Sequence, residues 1–367
     1  MTDPRLTPLA AGLPASVPFV GPEAQERALG QPFVARLGAN ESVFGPSPRA
    51  IEAMAAAARE VWKYADPEAH DLRHAIAAHH GCDPAHIHVG EGIDGILGNL
   101  VRLTVAQGTP VVTSAGAYPT FNYHVTGFGG MLHTVPYTGD FEDPDRLLAR
   151  AREVGAKLVY IANPNNPMGT VHDAETIARM VNAVPKGALL VLDEAYVEFG
   201  PLPAALDPTD RRVIRLRTFS KAHGMAGARV GYAIGDADMI AAFDRVRNHF
   251  GLNRIAQAGA LAALSDRDHL ANVLAKVAAA RTRIAEIAAA HGLAALPSAT
   301  NFVCIDCGGD GALAAAVRDG LAARGVFVRM PFVAPQNRCI RVSCGTEADL
   351  AAFDAALGPT LADARNR

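Results

Sequence analysis

Two spacings of apolar residues alternate along the chain. Short β-rich runs at 87–89, 110–114, 157–162, 188–192 and 212–217 each end in a polar or Gly/Pro cluster, and most are separated by helix-length stretches. Runs such as Leu189-Leu190-Val191-Leu192 are apolar at successive positions, which fits strands of a parallel sheet covered on both faces. Helical stretches stand between and before them. Residues 48–62 read as a helix with Ser47 as N-cap and Pro48 at the first position. Residues 69–80 read as a second, closed by Gly81. Alternation of this kind, joined by right-handed crossovers, predicts an α/β chain whose residues 65–267 form one doubly wound, mostly parallel domain. A long helix at 268–291 then presents Leu270, Val273, Leu274, Val277, Ile284 and Ile287 on one face. The tail reads as strands at 301–306, 326–330 and 338–343 with helices at 311–324 and 347–357. Residues 268–367 are therefore expected to form a smaller α/β domain. Residues 35–64 should supply its missing part and a crossing segment, and residues 1–34 an arm.

Size and composition agree with two domains. The chain has 367 residues, 50% of them hydrophobic and 19% charged, which is ordinary globular usage. A net charge of −3, without a long Lys/Arg run, lacks the electrostatic footprint of a nucleic-acid binder. Five cysteines, an odd number in a long chain, suit reduced thiols and a cytoplasmic location. Pro4, Pro8, Pro14, Pro18 and Pro22 punctuate an N-terminus with no apolar signal region, and no run approaches the roughly 18 apolar residues of a membrane helix. Neither a signal peptide nor a membrane anchor is expected.

Several motifs suggest chemistry. Gly90-Glu91-Gly92-Ile93-Asp94-Gly95 has the form G-x-G-x-x-G before a helix, but no acid ends the following strand, Val112-Thr113-Ser114-Ala115, where a nicotinamide site needs one for its ribose. Small residues opening a helix still aim backbone N–H groups at an anion. Asp193 and Glu194 end a buried strand, where α/β ligands bind; a triphosphate reading fails because the chain has no phosphate-loop motif. Cys304-x-x-Cys307 with Cys339 and Cys344 has the wrong spacing for zinc, and no metal is expected. Only five lysines are present. Lys63, Lys157, Lys186 and Lys276 carry no special context, whereas Lys221 lies in Thr218-Phe219-Ser220-Lys221-Ala222-His223-Gly224, after a strand and eight residues before Arg229. A lysine among hydroxyls with an arginine nearby suits a carbonyl cofactor that carries a phosphate.

These residues resemble those of the fold-type I, pyridoxal-phosphate-dependent aminotransferases of class I/II, and within them the histidinol-phosphate aminotransferases and their relatives. The resemblance spans about 36–351 and rests on motifs in the family's order: Leu37-Gly38-Ala39-Asn40-Glu41 with Gly45-Pro46-Ser47-Pro48, Tyr64-Ala65-Asp66-Pro67, Pro119-Thr120-Phe121, Asn163-Pro164-Asn165-Asn166-Pro167-Met168-Gly169-Thr170, Asp193-Glu194-Ala195-Tyr196, the Lys221 to Arg229 segment, and Arg341-Val342-Ser343-Cys344-Gly345-Thr346. Met168 stands where the family usually has Thr, Ala65 where it has Pro, and Ile93 where a small residue is common.

The resemblance implies a role for each residue. Lys221 would hold pyridoxal phosphate and move the substrate proton; Asp193 would pair with the ring nitrogen. Tyr196 and Asn166 would bond the ring oxygen, and Phe121 would stack on the ring. Gly92, Ile93, Asp94, Thr218, Ser220 and Arg229 would hold the phosphate, joined by Tyr64 from a neighbouring subunit, so a homodimer is implied. Arg341 would clamp the α-carboxylate with Asn40 nearby, and Arg329 would meet a substrate phosphate or another acidic end. The expected reaction passes an amino group from a small-molecule donor to a 2-oxo acid acceptor. A decarboxylase on the same fold, an NAD-dependent enzyme and a cofactor-binding regulator are the alternatives.

Overall fold

The computed structural model describes residues 5–14 and 20–366. Pro4 and Pro18 of the N-terminal arm lie outside the described residues. The arm's described part includes a helix at Pro22–Leu29, followed by strand β1 (Ala35–Arg36).

Seven strands build the large sheet: β2 (Ile87–Gly90), β3 (Pro110–Ser114), β4 (Met131–Val135), β5 (Leu158–Ala162), β6 (Leu189–Asp193), β7 (Val213–Thr218) and β8 (Gly231–Ile234). Their order is β2-β8-β7-β6-β5-β3-β4. Strands β3 to β7 are parallel, and β8 runs antiparallel to both its neighbours. Every residue of β5, β6 and β7 is buried, as the apolar runs of β5 and β6 predict; in β7, Arg215 and Arg217 are buried by pairing with Glu194. Strands β4 and β8 are absent from the sequence reading for two different reasons. On the sheet's edge, β4 buries only its last residue and carries no continuous apolar run. The four residues of β8 start at a glycine, whose missing side chain is a packing requirement: a Cβ on Gly231 would stand 2.8 Å from the nitrogen of Ile93.

The second sheet is antiparallel, β12 (Cys339–Ser343), β10 (Phe302–Asp306) and β9 (Ala294–Ala295), and β11 (Val326–Phe327) pairs in parallel with β1. Residues 35 and 36 thus return to the C-terminal part of the chain. The strand expected at 326–330 stops at Phe327; beyond it only Arg329 bridges to Arg341. Helix Arg267–Ala290 buries Val273, Val277, Ile284 and Ile287 as its periodicity predicts. Helix Glu347–Arg365 runs past the predicted stop at 357. Gly358 and Pro359 read as a terminator, but Thr360 and Leu361 are buried and carry the helix on, and Thr346 with Asp349 closes its start as a capping box.

Candidate active site

Parallel sheets concentrate free backbone and side-chain groups beyond the carboxyl ends of their strands. A cavity of 370 Å³ lies there, lined in part by Asp193 at the end of β6, Thr218 at the end of β7, and Ser220, Lys221 and Arg229 in the segment that follows. Ile93 and Asp94, in the first turn of helix Gly92–Thr104, face the same space.

One end of this cavity is built for an anion. The first amides of a helix have no intrahelical acceptor. The Thr218 hydroxyl donates to Ser220 Oγ (2.9 Å) and Arg229 Nη1 approaches the same oxygen at 3.4 Å. Gly92 starts the helix at φ 74, and a Cβ there would come within 2.5 Å of Arg229 Nη2, so only glycine leaves the guanidinium its place. Arg229 is itself left-handed (φ 58), as is Asn40 (φ 55) across the cavity. Two of the three non-glycine residues with positive φ among the described residues therefore line this one space, a local cost typical of functional sites.

At the other end, Asp193 is buried and accepts hydrogen bonds from Tyr160 (2.6 Å) and from the Ala195 amide (2.9 Å). Burial pushes its carboxyl up to about 6, against the pull of those two donors and of Lys221. Lys221 Nζ donates to the carbonyl of Asn40 (3.1 Å) and lies 5.5 Å from the centre of the Tyr196 ring. Asn40 Nδ2 and Asn166 Nδ2 both reach the Tyr196 hydroxyl, at 3.0 and 3.5 Å. From β12, Arg341 donates to Asn166 Oδ1 (2.7 Å) and to Gly38 O (3.3 Å), while its buried Nε has no partner. Burial lowers the pKa of Arg341, yet a guanidinium stays charged, so the cavity holds a desolvated cation with a donor to spare.

The structure brings together Asn40, Ile93, Asp94, Asn166, Asp193, Tyr196, Thr218, Ser220, Lys221, Arg229 and Arg341 in the cavity wall, with Gly92 against Arg229. Three expected residues stand elsewhere. Phe121 is wholly buried and stacked on Tyr160 (4.6 Å, 16°), a layer away from the cavity. With Val125 it forms the inward i, i+4 pair of helix Pro119–Gly127, and Tyr118, just before that helix, takes the wall position with its hydroxyl on Asp94 (2.9 Å). That i, i+4 pair was the available signal for preferring Tyr118. Arg329 lines an adjoining cavity of 710 Å³ that shares Tyr118, Asn166 and Arg341 with the first. Tyr64 is exposed and rests on Phe250 (4.6 Å). The sequence reading also missed Ser343 and Asn301, which hold Asn40 through its amide, side chain and carbonyl.

The family model for aminotransferase class I and II matches residues 34–357. A histidinol-phosphate aminotransferase from Anaeromyxobacter sp. (strain Fw109-5) is 38% identical over 88% of this chain and 91% of its own length. An aromatic amino acid aminotransferase from Mycolicibacterium paratuberculosis is 35% identical over 93% and 97%. Among solved structures, histidinol-phosphate aminotransferase from Sinorhizobium meliloti in complex with pyridoxal-5'-phosphate is 52% identical, with a TM-score of 0.95 and 98% of each chain covered. The chain therefore belongs to the aminotransferase class I and II family, has the type I fold of that family, and is a pyridoxal-phosphate-dependent aminotransferase.

Proposed function

We propose that Lys221 is the residue that carries the cofactor and that the groups around it divide the work of transamination. The observation behind this reading is that one cavity gathers a lysine, a buried carboxylate, an anion cradle and a buried arginine with a spare donor. These residues fit pyridoxal phosphate. The amides at Ile93 and Asp94, the Thr218 and Ser220 hydroxyls and Arg229 would hold the phosphate, and Asp193 the ring nitrogen. Tyr196 and Asn166 would meet the ring oxygen, and Tyr118 would cover a ring face. When bound, the cofactor supplies a carbonyl that takes up an amine and a protonated ring that accepts electron density from the substrate.

Lys221 Nζ, steered by the Asn40 carbonyl, is the base that takes a proton from the substrate's Cα and later returns it to the neighbouring carbon. Asp193 keeps its negative charge next to the ring nitrogen, and Arg341 orients an amino-acid substrate by its α-carboxylate in a bidentate fork; histidinol phosphate, which has no α-carboxylate, would need Arg341 or Arg329 for its phosphate instead.

The larger cavity supports a finer reading of the substrate. Val328, Met330, Phe332 and Pro119 give it apolar walls, and Arg318 and Arg329 add positive charge. A donor with a ring and an anionic far end, as in histidinol phosphate, suits such a space better than a small neutral amino acid. Incubating the loaded enzyme with amino acids and histidinol phosphate, and following conversion of the cofactor to its amine form, tests this. No conversion by any ring-bearing donor would sink it, and release of carbon dioxide in place of a 2-oxo acid would overturn transamination itself.

The working unit in this reading is a twofold dimer, supported by the exposed cluster of Val61, Trp62, Tyr64 and Phe250. A fully active monomer by light scattering and assay would contradict it. The free thiols suit a reducing, cytoplasmic setting.

A further inference from the structure

A phenol that none of these roles uses is bonded to Asp193. Tyr160 lies in the middle of β5 and is wholly buried, with its ring stacked on Phe121. Its hydroxyl donates to Asp193 Oδ2 at 2.6 Å, within the range of charge-assisted O–H···O⁻ bonds, while the Ala195 amide holds Oδ1. We propose that Tyr160 is a positioning residue for transamination, whose hydroxyl fixes the Asp193 carboxylate and keeps it ionised to hold the cofactor's ring nitrogen. The inference rests on the placement of Asp193 against that nitrogen.

The electrostatics around Asp193 show why a permanent donor matters. Burial disfavours its charge, and so does Asp94 from helix Gly92–Thr104. Lys221, in the segment after β7, favours the charge, and Glu142, ahead of β5, is a second buried acid whose titration is coupled to that of Asp193. Tyr160 cannot reverse its role as donor, because burial and the adjacent carboxylate hold its phenol far above its ordinary pKa. A carboxylate that loses a hydrogen-bond donor in a dry site becomes a stronger base, so Asp193 without Tyr160 would be half protonated or more near neutral pH and correspondingly less able to hold a ring proton.

The test uses the full-length chain with ¹³C at the aspartate side-chain carboxyl, stripped of cofactor, with Asp193 identified by the signal missing from Asp193→Asn. Tyr160→Phe should raise the Asp193 titration midpoint by roughly one unit or more. Phe121→Leu removes the stacking and keeps the hydroxyl, and should leave the midpoint within a few tenths. Fluorination of Tyr160 on its ring, which strengthens the donor and preserves its shape, should move the midpoint down; this arm stands even where Tyr160→Phe does not fold. Pyridoxal phosphate should bind the Tyr160→Phe chain about 2-fold more weakly at pH 7 for a one-unit rise and roughly 10-fold for a two-unit rise, with the gap closing by pH 9, where Asp193 is ionised in both proteins. An unmoved midpoint in Tyr160→Phe and the fluorinated protein, or an equal shift in Phe121→Leu, would reduce Tyr160 to packing. A midpoint that moves without any change in cofactor affinity would keep the Tyr160–Asp193 coupling but remove Asp193 from the ring nitrogen, and the proposal would fall with that placement.

Discussion

The cavity proposed for the cofactor and the larger one beside it share a wall at Tyr118, Asn166 and Arg341, yet they are assembled by different means. Around the first, the large sheet does the placing: Asp193 stands in register with Ala162 on one side and Leu216 on the other, and Thr218 ends the next strand. Around the second, the lining comes from separate segments, among them Gln25, residues 116–119, Arg318 and residues 328–332. Only part of that lining belongs to regular structure. Reaction chemistry common to all substrates sits on a frame whose register fixes it, and selection among substrates sits where segments can change independently.

Loss of Lys221 should break the framed side completely. Lys221→Ala should fold, because its neighbours Thr218, Ser220 and Asn40 keep their own hydrogen bonds. Turnover should vanish for every donor, together with the borohydride-fixed adduct. A reduced adduct mapped by mass spectrometry to Lys63, Lys157, Lys186 or Lys276 would move the active site elsewhere. Asp193→Asn comes next. It keeps shape and removes charge, so cofactor should still bind while the rate drops on the order of 10²-fold or more with all donors alike. Near-normal turnover would show that the ring nitrogen is held otherwise.

The same contrast decides what could be read from sequence. That Lys221, Asp193, Thr218 and Arg229 meet at one cavity was legible because Asp193 and Thr218 end strands, where ligands bind, and Lys221 and Arg229 lie in the segment after the second. Phe121 was expected at the cavity but is buried, and Tyr118, three residues earlier, lines the wall; two aromatic residues so spaced differ only in which one points into the core. The larger cavity was illegible apart from Arg329 and the shared Asn166 and Arg341. Its walls meet through tertiary packing of residues up to about three hundred positions apart, as in the Arg329 hydrogen bond to the Val20 carbonyl, and no local pattern encodes such a meeting. Ser343 and Asn301 were hidden for the same reason: they act on Asn40 from the other sheet.

Substitution of the two paired arginines sharpens the comparison by donor class. Arg341 and Arg329 face one another across a backbone bridge, one on each cavity's account. Arg341→Ala should lower kcat/KM for every amino-acid donor, whereas Arg329→Ala should do so only for donors with a phosphate or second carboxylate. Charge-assisted contacts of this kind are worth about 1.5–3 kcal/mol, or roughly 10- to 150-fold. Equal losses for anionic and neutral aromatic donors in Arg329→Ala would show that the larger cavity does not select by charge.

The smallest effect is one of stability and probes how the frame is held. Glu142 is fully buried; its Oε2 accepts from the Ala162 amide (3.0 Å) and from Asn165 Nδ2 (2.8 Å), tying the end of β5 to the loop that presents Asn166. Burial is the main reason its carboxyl is pushed up to about 7 from an ordinary 4.5, and the charge of Asp193 adds to it. A raised value in the folded chain means that folding favours the protonated acid. The contribution of Glu142 to stability is therefore complete below about pH 4.5 and is lost as pH rises through about 7. Gln at this position is neutral throughout, keeps an acceptor for the Ala162 amide, and can turn its NH₂ toward the buried Ser114 Oγ beside it. Glu142→Gln should match the parent protein near pH 4.5 and unfold at a higher temperature at pH 8, the gain being about 1–3 kcal/mol. The same pair compared in an Asp193→Asn background removes the coupled titration of Asp193 and isolates Glu142. Calorimetric melts across that range would show a gap that widens with pH. A gap that stays constant would mean that Glu142 is ionised in the folded chain throughout, and that the loop bearing Asn166 is held by charge and not by a shared proton.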